Sequence, residues 1–148
     1  MAAMKFDSIL VICVGNICRS PTGEALLRQM LPTKKVASAG LQAVVGEGAD
    51  ANAKVTAEKH GVSLDGHVAR QLTSALCREY DLILVMEKRH IDMVGNISPE
   101  VRGKTMLFGH WMGQQEIDDP YRKSLEAFEY VYQMLSNSAS KWAKVLAS

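Results

Sequence analysis

Apolar positions along this chain fall into two kinds of pattern. Unbroken runs, Ser8-Ile-Leu-Val-Ile-Cys13 and Asp81-Leu-Ile-Leu-Val-Met86, read as strands buried on both faces, as in a parallel sheet. Lys35-Val-Ala-Ser-Ala39, ended by Gly40, and Lys104-Thr-Met-Leu-Phe108 read as two shorter strands. Helical stretches stand between them. Pro21–Met30 is predicted as a helix with Ser20 as N-cap and Pro21 in its first turn. Asp50–His60 follows, with Gly61 placed as a left-handed terminator, then Thr73–Tyr80 and Glu87–Val94. Ser124–Leu146 carries Leu125, Phe128, Tyr132, Leu135, Ala139, Trp142 and Leu146 at spacings of three and four. That stripe predicts a long amphipathic helix whose aromatics belong to the core.

Four strands alternating with helices predict an α/β fold. The expected architecture is a three-layer αβα sandwich, a four-stranded parallel sheet with right-handed crossovers and helices on both faces. Ligands in such folds sit beyond the carboxyl ends of the strands. Cys13 ends the first strand there, and the segments after Gly40, Met86 and Phe108 leave from the same edge.

Composition narrows the picture. At 148 residues and 47% hydrophobic, the chain fits one domain, 1–148, with a full core. A net charge of +1, with both signs interspersed, argues against a nucleic-acid or membrane-surface partner. No apolar run approaches the ~20 residues of a membrane helix, so no membrane insertion is expected. Asp7 interrupts any signal core at Ser8–Val14. Three cysteines, an odd number without a pairing framework, suit a reducing cytoplasm.

The chemistry concentrates in Cys13-Val-Gly-Asn-Ile-Cys-Arg19-Ser20, which turns the chain from strand to helix. The amides of Val14, Gly15, Asn16, Ile17, Cys18 and Arg19, with the positive end of the following helix, form a cradle for a tetrahedral oxyanion. The same field favours the thiolate form of a cysteine at its centre. Arg19 then clamps two oxyanion oxygens with its planar fork. Gly15 and Asn16 tolerate the left-handed angles that a curled loop requires. Together these residues point to phosphoryl transfer through Cys13. His60, His67, His90 and His110 show no metal-ligand spacing, and the loop supplies the compensating charge, so no metal or cofactor is expected. Gly103-Lys-Thr105 looks like the end of a nucleotide-binding loop, but Ser98 stands where that motif needs glycine. It reads as a turn before the last strand. Cys77, on a predicted helix, reads as a packed thiol.

Val11-Ile-Cys13-Val-Gly-Asn-Ile-Cys-Arg19-Ser-Pro21 resembles the signature loop of the low-molecular-weight protein tyrosine phosphatases. The resemblance continues through Ser38-Ala-Gly40, His67-Val-Ala-Arg-Gln71, Asp81–Met86 and Asp119-Pro-Tyr121, covering essentially the whole chain. Arg102–Gly109 and Asp119–Ser124 look most like the bacterial branch associated with capsule and exopolysaccharide production. The resemblance implies a phosphocysteine mechanism in which Cys13 attacks phosphorus, Arg19 holds the equatorial oxygens and Asp119 is the general acid. Pro120 would restrict the backbone of Asp119 and fix its aim; Asp118, its neighbour, is read as a solvated turn acid. Asn16, Ser20 and His67 are implied as loop support, with Ser20 also stabilising the Cys13 thiolate. Leu41 and Tyr121 are implied as walls of the substrate cleft, and Cys18 as a disulfide partner that protects Cys13. The implied substrate is a phosphotyrosine protein, an inner-membrane tyrosine autokinase with a tyrosine-rich tail.

Two other classes compete. An arsenate reductase of the same fold needs two further cysteines to relay a disulfide, and only Cys77 lies outside the loop. A phosphocarrier would need neither the arginine clamp nor an Asp-Pro acid.

Overall fold

The alternating runs resolve into one four-stranded parallel sheet in a computed structural model that describes residues 6–147. The expected extent of 1–148 reaches past these residues at both ends. Strands β1 (Ser8–Cys13), β2 (Lys35–Gly40), β3 (Leu82–Val85) and β4 (Thr105–Leu107) lie in the order β2-β1-β3-β4, all parallel. Helices α1 (Arg19–Met30), α2 (Ala51–Lys59), α3 (Ser74–Glu79), α4 (Lys88–Ile97) and α5 (Leu125–Leu146) complete a three-layer αβα fold.

The apolar runs are unbroken because the two central strands are covered on both faces. Ile9, Val11 and Cys13 of β1 pack with Leu27, Ala57, Leu135 and Trp142, from α1, α2 and α5. Leu10 and Ile12 turn the other way, towards Cys77, Val94 and Val101. In β3, Leu82 and Leu84 share the first face, and Ile83 and Val85 the second. Period-two alternation thus builds two cores from one sheet.

Helix starts follow local chemistry. Asp50 accepts the Asn52 and Ala53 N–H groups ahead of α2, Thr73 accepts that of Leu76, and Ser124 that of Ala127. Gly61 follows α2 with φ +77°, the expected left-handed terminator. Phe128, Tyr132 and Trp142 are buried, and the Trp142 indole donates to the Phe108 carbonyl at 2.9 Å.

Several expectations need correction. Helix α1 begins at Arg19 and Cys18 takes the N-cap position, so Ser20 does not cap it; the Ser20 hydroxyl is engaged by the Cys13 sulfur instead. Helix α4 runs on to Ile97 and is followed by a 3-10 turn, Pro99–Lys104. Pro99 cannot continue the α-helical ladder, and the turn takes up Lys104, whose ammonium bonds the Tyr80 carbonyl. As expected, Gly103-Lys-Thr105 leads into β4 and not into an α-helix. Leu125 is 55% exposed, so the buried stripe of α5 starts at Phe128.

Candidate active site

Strand β1 delivers Cys13 to the carboxyl edge of the sheet, where the chain curls through residues 14–18 into α1. The curl depends on Asn16, which adopts φ +59° and is fully buried. Gly15 does not use the left-handed region, so of the two residues expected there only Asn16 does. The loop's carbonyls are tied outwards. Those of Cys13, Val14, Gly15 and Ile17 accept from Leu41, Gln42, Val44 and Asp50 at 2.8–3.0 Å. The Asn16 carbonyl accepts from His67 Nε2 at 2.6 Å; since a carbonyl can only accept, Nε2 carries the proton. With its carbonyls held outside, the loop turns its amides inwards, and Asn16 N–H points at Cys13 Sγ at 3.3 Å. Gly40 makes this packing possible: a Cβ there would lie 2.5 Å from the Val14 carbonyl oxygen.

A chain of hydroxyls and amides supports the sulfur. Ser20 Oγ lies 2.9 Å from Cys13 Sγ and accepts from Asn16 Nδ2 at 2.8 Å, so its own proton is free for the sulfur. Asn16 Nδ2 also donates to Ser38 Oγ at 3.0 Å, which donates on to Glu24 Oε1 at 2.5 Å. Asn16 Oδ1 accepts the Arg70 N–H at 2.9 Å.

Arg19 is 2% exposed and held from behind. Its Nη1 donates to Glu87 Oε2 at 2.7 Å and to the Ile117 carbonyl at 2.8 Å. Burial raises the Glu87 carboxyl, but the bonds from Arg19 and Arg89 outweigh it and hold Glu87 below the usual carboxylate range. The opposite guanidinium edge is open: Nε is buried without a partner, and Nη2 lies 3.8 Å from Asp119 Oδ2, too far for a hydrogen bond. Asp119 is anchored in turn, its Oδ1 accepting the Tyr121 N–H at 3.1 Å.

These groups surround a cleft of about 200 Å³ lined by Cys13, Gly15, Arg19, Gln42, Val44, Asp119 and Tyr121, among others. Val14, Ile17 and Cys18 also border it; Asn16, Ser20 and His67 lie behind the loop. Asp118 is not among the lining residues. Leu41, expected as a wall, does not line the cleft. It is 7% exposed and packs with Ala39 and Leu72 in the second core, and Val44 and Gln42 border the cleft instead. Cys18 is a free buried thiol that burial first, then the Asp50 charge, pushes far above its ordinary range. Glu87 and the Ile117 carbonyl went unpredicted. An acid directly after the third strand, at the edge where a buried arginine needs a partner, was the available signal for Glu87.

A thiol, an oxyanion cradle, an arginine fork and a carboxylate in one cleft are the parts of cysteine phosphoryl chemistry. Residues 8–148 match the family described as low molecular weight phosphotyrosine protein phosphatase. The chain belongs to that family. The phosphatase is 64% identical over 141 residues to the probable low molecular weight protein-tyrosine-phosphatase AmsI of Erwinia amylovora, covering 95% of this chain and 98% of that one. It is 60% identical to the Etp phosphatase of Escherichia coli K12, over 99% of both chains. The crystal structure of Erwinia amylovora AmsI superposes with a TM-score of 0.96 at 61% identity, covering 100% of this chain and 98% of that one. Wzb from Escherichia coli K30, in complex with sulphate, superposes at 0.94 and 58% identity over 96% and 99% of the two chains. These likenesses favour the tyrosine phosphatase over the arsenate reductase of the same fold.

Proposed function

We propose that the phosphatase hydrolyses phosphotyrosine through a phosphocysteine on Cys13. Cys13 attacks phosphorus in line; Ser20 and the loop amides stabilise its thiolate. Arg19 takes two equatorial oxygens on Nε and Nη2, and the remaining oxygens fall to the amides of Val14 to Arg19. Asp119 protonates the leaving phenoxide, then as carboxylate deprotonates the water that hydrolyses the thiophosphate, regenerating thiolate and releasing inorganic phosphate. Val44 and Tyr121 flank the incoming ring. The observation that carries this reading is Arg19, its Nε buried and unpartnered, lining one cleft with both Cys13 and Asp119. The sulphate named in the Wzb structure supports it, since sulfate has the shape of the group transferred.

The natural substrate in this reading is an inner-membrane tyrosine autokinase with a tyrosine-rich tail, acted on from the cytoplasm. Its dephosphorylation would cycle exopolysaccharide or capsule polymerisation and export. The likeness to AmsI, Etp and Wzb supports a place in that bacterial branch, and among the described residues no helix is long and apolar enough to cross a membrane.

Turnover of p-nitrophenyl phosphate tests the chemistry. Cys13→Ser abolishes it, and Asp119→Ala lowers kcat by ~10²–10⁴, the range for a lost general acid. Wild-type activity in the double variant Asp118→Ala/Asp119→Ala refutes the acid assignment, and thioredoxin-coupled arsenate reduction without ester hydrolysis refutes the whole reading. Asp119→Ala also serves as a trap for the protein partner.

A further inference from the structure

Between Ile117 and Phe128 the chain presents Asp119 to the cleft with little to hold it. Among the described residues, no hydrogen bond joins residues 118–123 to the rest of the molecule. Tyr121 N–H donates to Asp119 Oδ1 and Lys123 N–H to the Pro120 carbonyl, both within the segment. The Asp119 side chain is 46% exposed, so its own burial does not fix it either. One side of the segment is pinned by Ile117, which is fully buried. Its N–H donates to the Met86 carbonyl at 2.9 Å and its carbonyl accepts from Arg19 Nη1 at 2.8 Å. From Asp118 to Glu126 the one buried residue is Pro120.

Pro120 sits in an apolar slot between α2 and the first half of α5. Cys18, Thr56, Phe128, Val131 and Tyr132 line the slot with it, among others. The space left unfilled is about 10 Å³, the room of about one water molecule, so the proline nearly fills its seat. One wall is braced in turn. The Tyr132 ring stacks on His60 at 4.4 Å, and His60 Nε2 lies 2.8 Å from Glu129 Oε2. Cys18 borders both the slot and the catalytic cleft, so the slot stands directly behind the catalytic loop.

We propose that this slot aims the general acid: Thr56, Phe128, Val131 and Tyr132 hold Pro120, and through it set the Asp119 carboxyl against the leaving oxygen. None of the four lines the cleft, so they are positioning residues. Proton transfer needs the carboxyl within hydrogen-bond reach of the leaving oxygen, and a misplacement of about 1 Å can cost about 10²-fold in rate. With no hydrogen bond from Asp119 to the rest of the molecule, the adjoining pyrrolidine ring is its nearest fixed point. The role belongs to the first half of α5; Trp142, near the other end, is outside the slot. The assignment rests on the phosphatase reading, in which Asp119 is the acid.

The test compares kcat/KM for phenyl phosphate, whose leaving group needs a proton, with that for dinitrophenyl phosphate, whose leaving group departs as the anion. Asp119→Ala sets the scale: a lost acid lowers the first by ~10²–10⁴ and barely changes the second. Phe128→Ala is expected to lower the first about tenfold, part of that range, and to hold the second within about twofold. The inhibition constant for inorganic phosphate stays at its wild-type value, because the cradle is untouched. Pro120→Ala should behave in the same way. If Phe128→Ala does not fold, the smaller cut Phe128→Leu carries the expectation of a several-fold separation of the two substrates. An equal fall on both substrates overturns the proposal. So does an effect confined to Pro120→Ala, which assigns the role to the proline's backbone restraint. If Asp119→Ala itself does not separate the substrates, the acid assignment fails and the proposal falls with it.

Discussion

Glu87 takes no part in bond making, yet it decides where the Arg19 fork points. With Nη1 spent on Glu87 and the Ile117 carbonyl, the free edge of the guanidinium is Nε and Nη2. Glu87→Ala leaves a buried cation without its carboxylate, a change that costs about 3–5 kcal/mol where it has been measured. We expect a lowered melting temperature together with an inhibition constant for inorganic phosphate raised by about tenfold or more, a loss of ~1.4 kcal/mol of oxyanion binding. A stability loss with unchanged phosphate inhibition would reduce Glu87 to a packing role. Cys18 makes a second case at this scale. Burial raises its thiol, so we expect peroxide to oxidise Cys13 first, to a sulfenic acid, and attack by the Cys18 sulfur then to form the disulfide and release water. Wild-type activity should return with dithiothreitol after a peroxide pulse, and Cys18→Ser activity should not. Equal recovery in both excludes Cys18 as the partner.

At the start of α4, the imidazole of His90 is fully buried, and its Nδ1 accepts the Glu87 N–H at 3.2 Å. The proton therefore sits on Nε2, which lacks a partner and lies 3.6 Å from Glu87 Oε2. Burial is the main cause that pulls His90 down to about 4; the Glu87 and Glu116 charges oppose it, and the Arg19 and Arg89 charges reinforce it. Because the folded value lies below the unfolded one, the unfolded chain binds the proton first as pH falls. Stability from the neutral imidazole is complete above about 6.5 and lost progressively down to about 4, at about 1.4 kcal/mol per pH unit. His90→Gln should flatten that slope in urea titrations between pH 6.5 and 4; an unchanged slope assigns it to other groups. Elements like α4 also show what was readable beforehand. The strands were legible because a strand covered on both faces cannot hide its apolar run. Cys13 and Arg19 stood out by their spacing around one strand-to-helix loop and Asp119 by its resemblance to an Asp-Pro-Tyr acid motif, and the three line one cleft. Leu41 was misread for a reason of geometry. Its N–H still bonds the Cys13 carbonyl, so the alternation of β2 runs one residue past Gly40 and sends Leu41 to the same core as Ala39. Parity counted from Ala39 gives that answer, whereas the resemblance alone placed Leu41 at the cleft wall. Glu87 and Val44 were harder, since which residues a loop brings over Cys13 depends on contacts between distant segments.

Across the whole molecule, the sheet separates what carries chemistry from what carries stability. Strands β1 and β3 and the segment after β4 bring Cys13, Glu87 and Asp119 to one edge, while α5 closes the core on one face. Trp142 is the largest fully buried side chain in that layer, with its indole N–H on the Phe108 carbonyl and Trp111 packed edge-on at 5.5 Å. Trp142→Ala removes this bulk and leaves a buried carbonyl unpaired, at a cost of about 4 kcal/mol. For a chain of this size that lowers Tm by about 10 °C. Because none of the cleft residues touches Trp142 through a hydrogen bond, the surviving folded molecules should keep a near wild-type kcat on p-nitrophenyl phosphate, measured well below the new Tm. A large drop in kcat at full folding would mean that the α5 layer positions the catalytic edge as well as stabilising it.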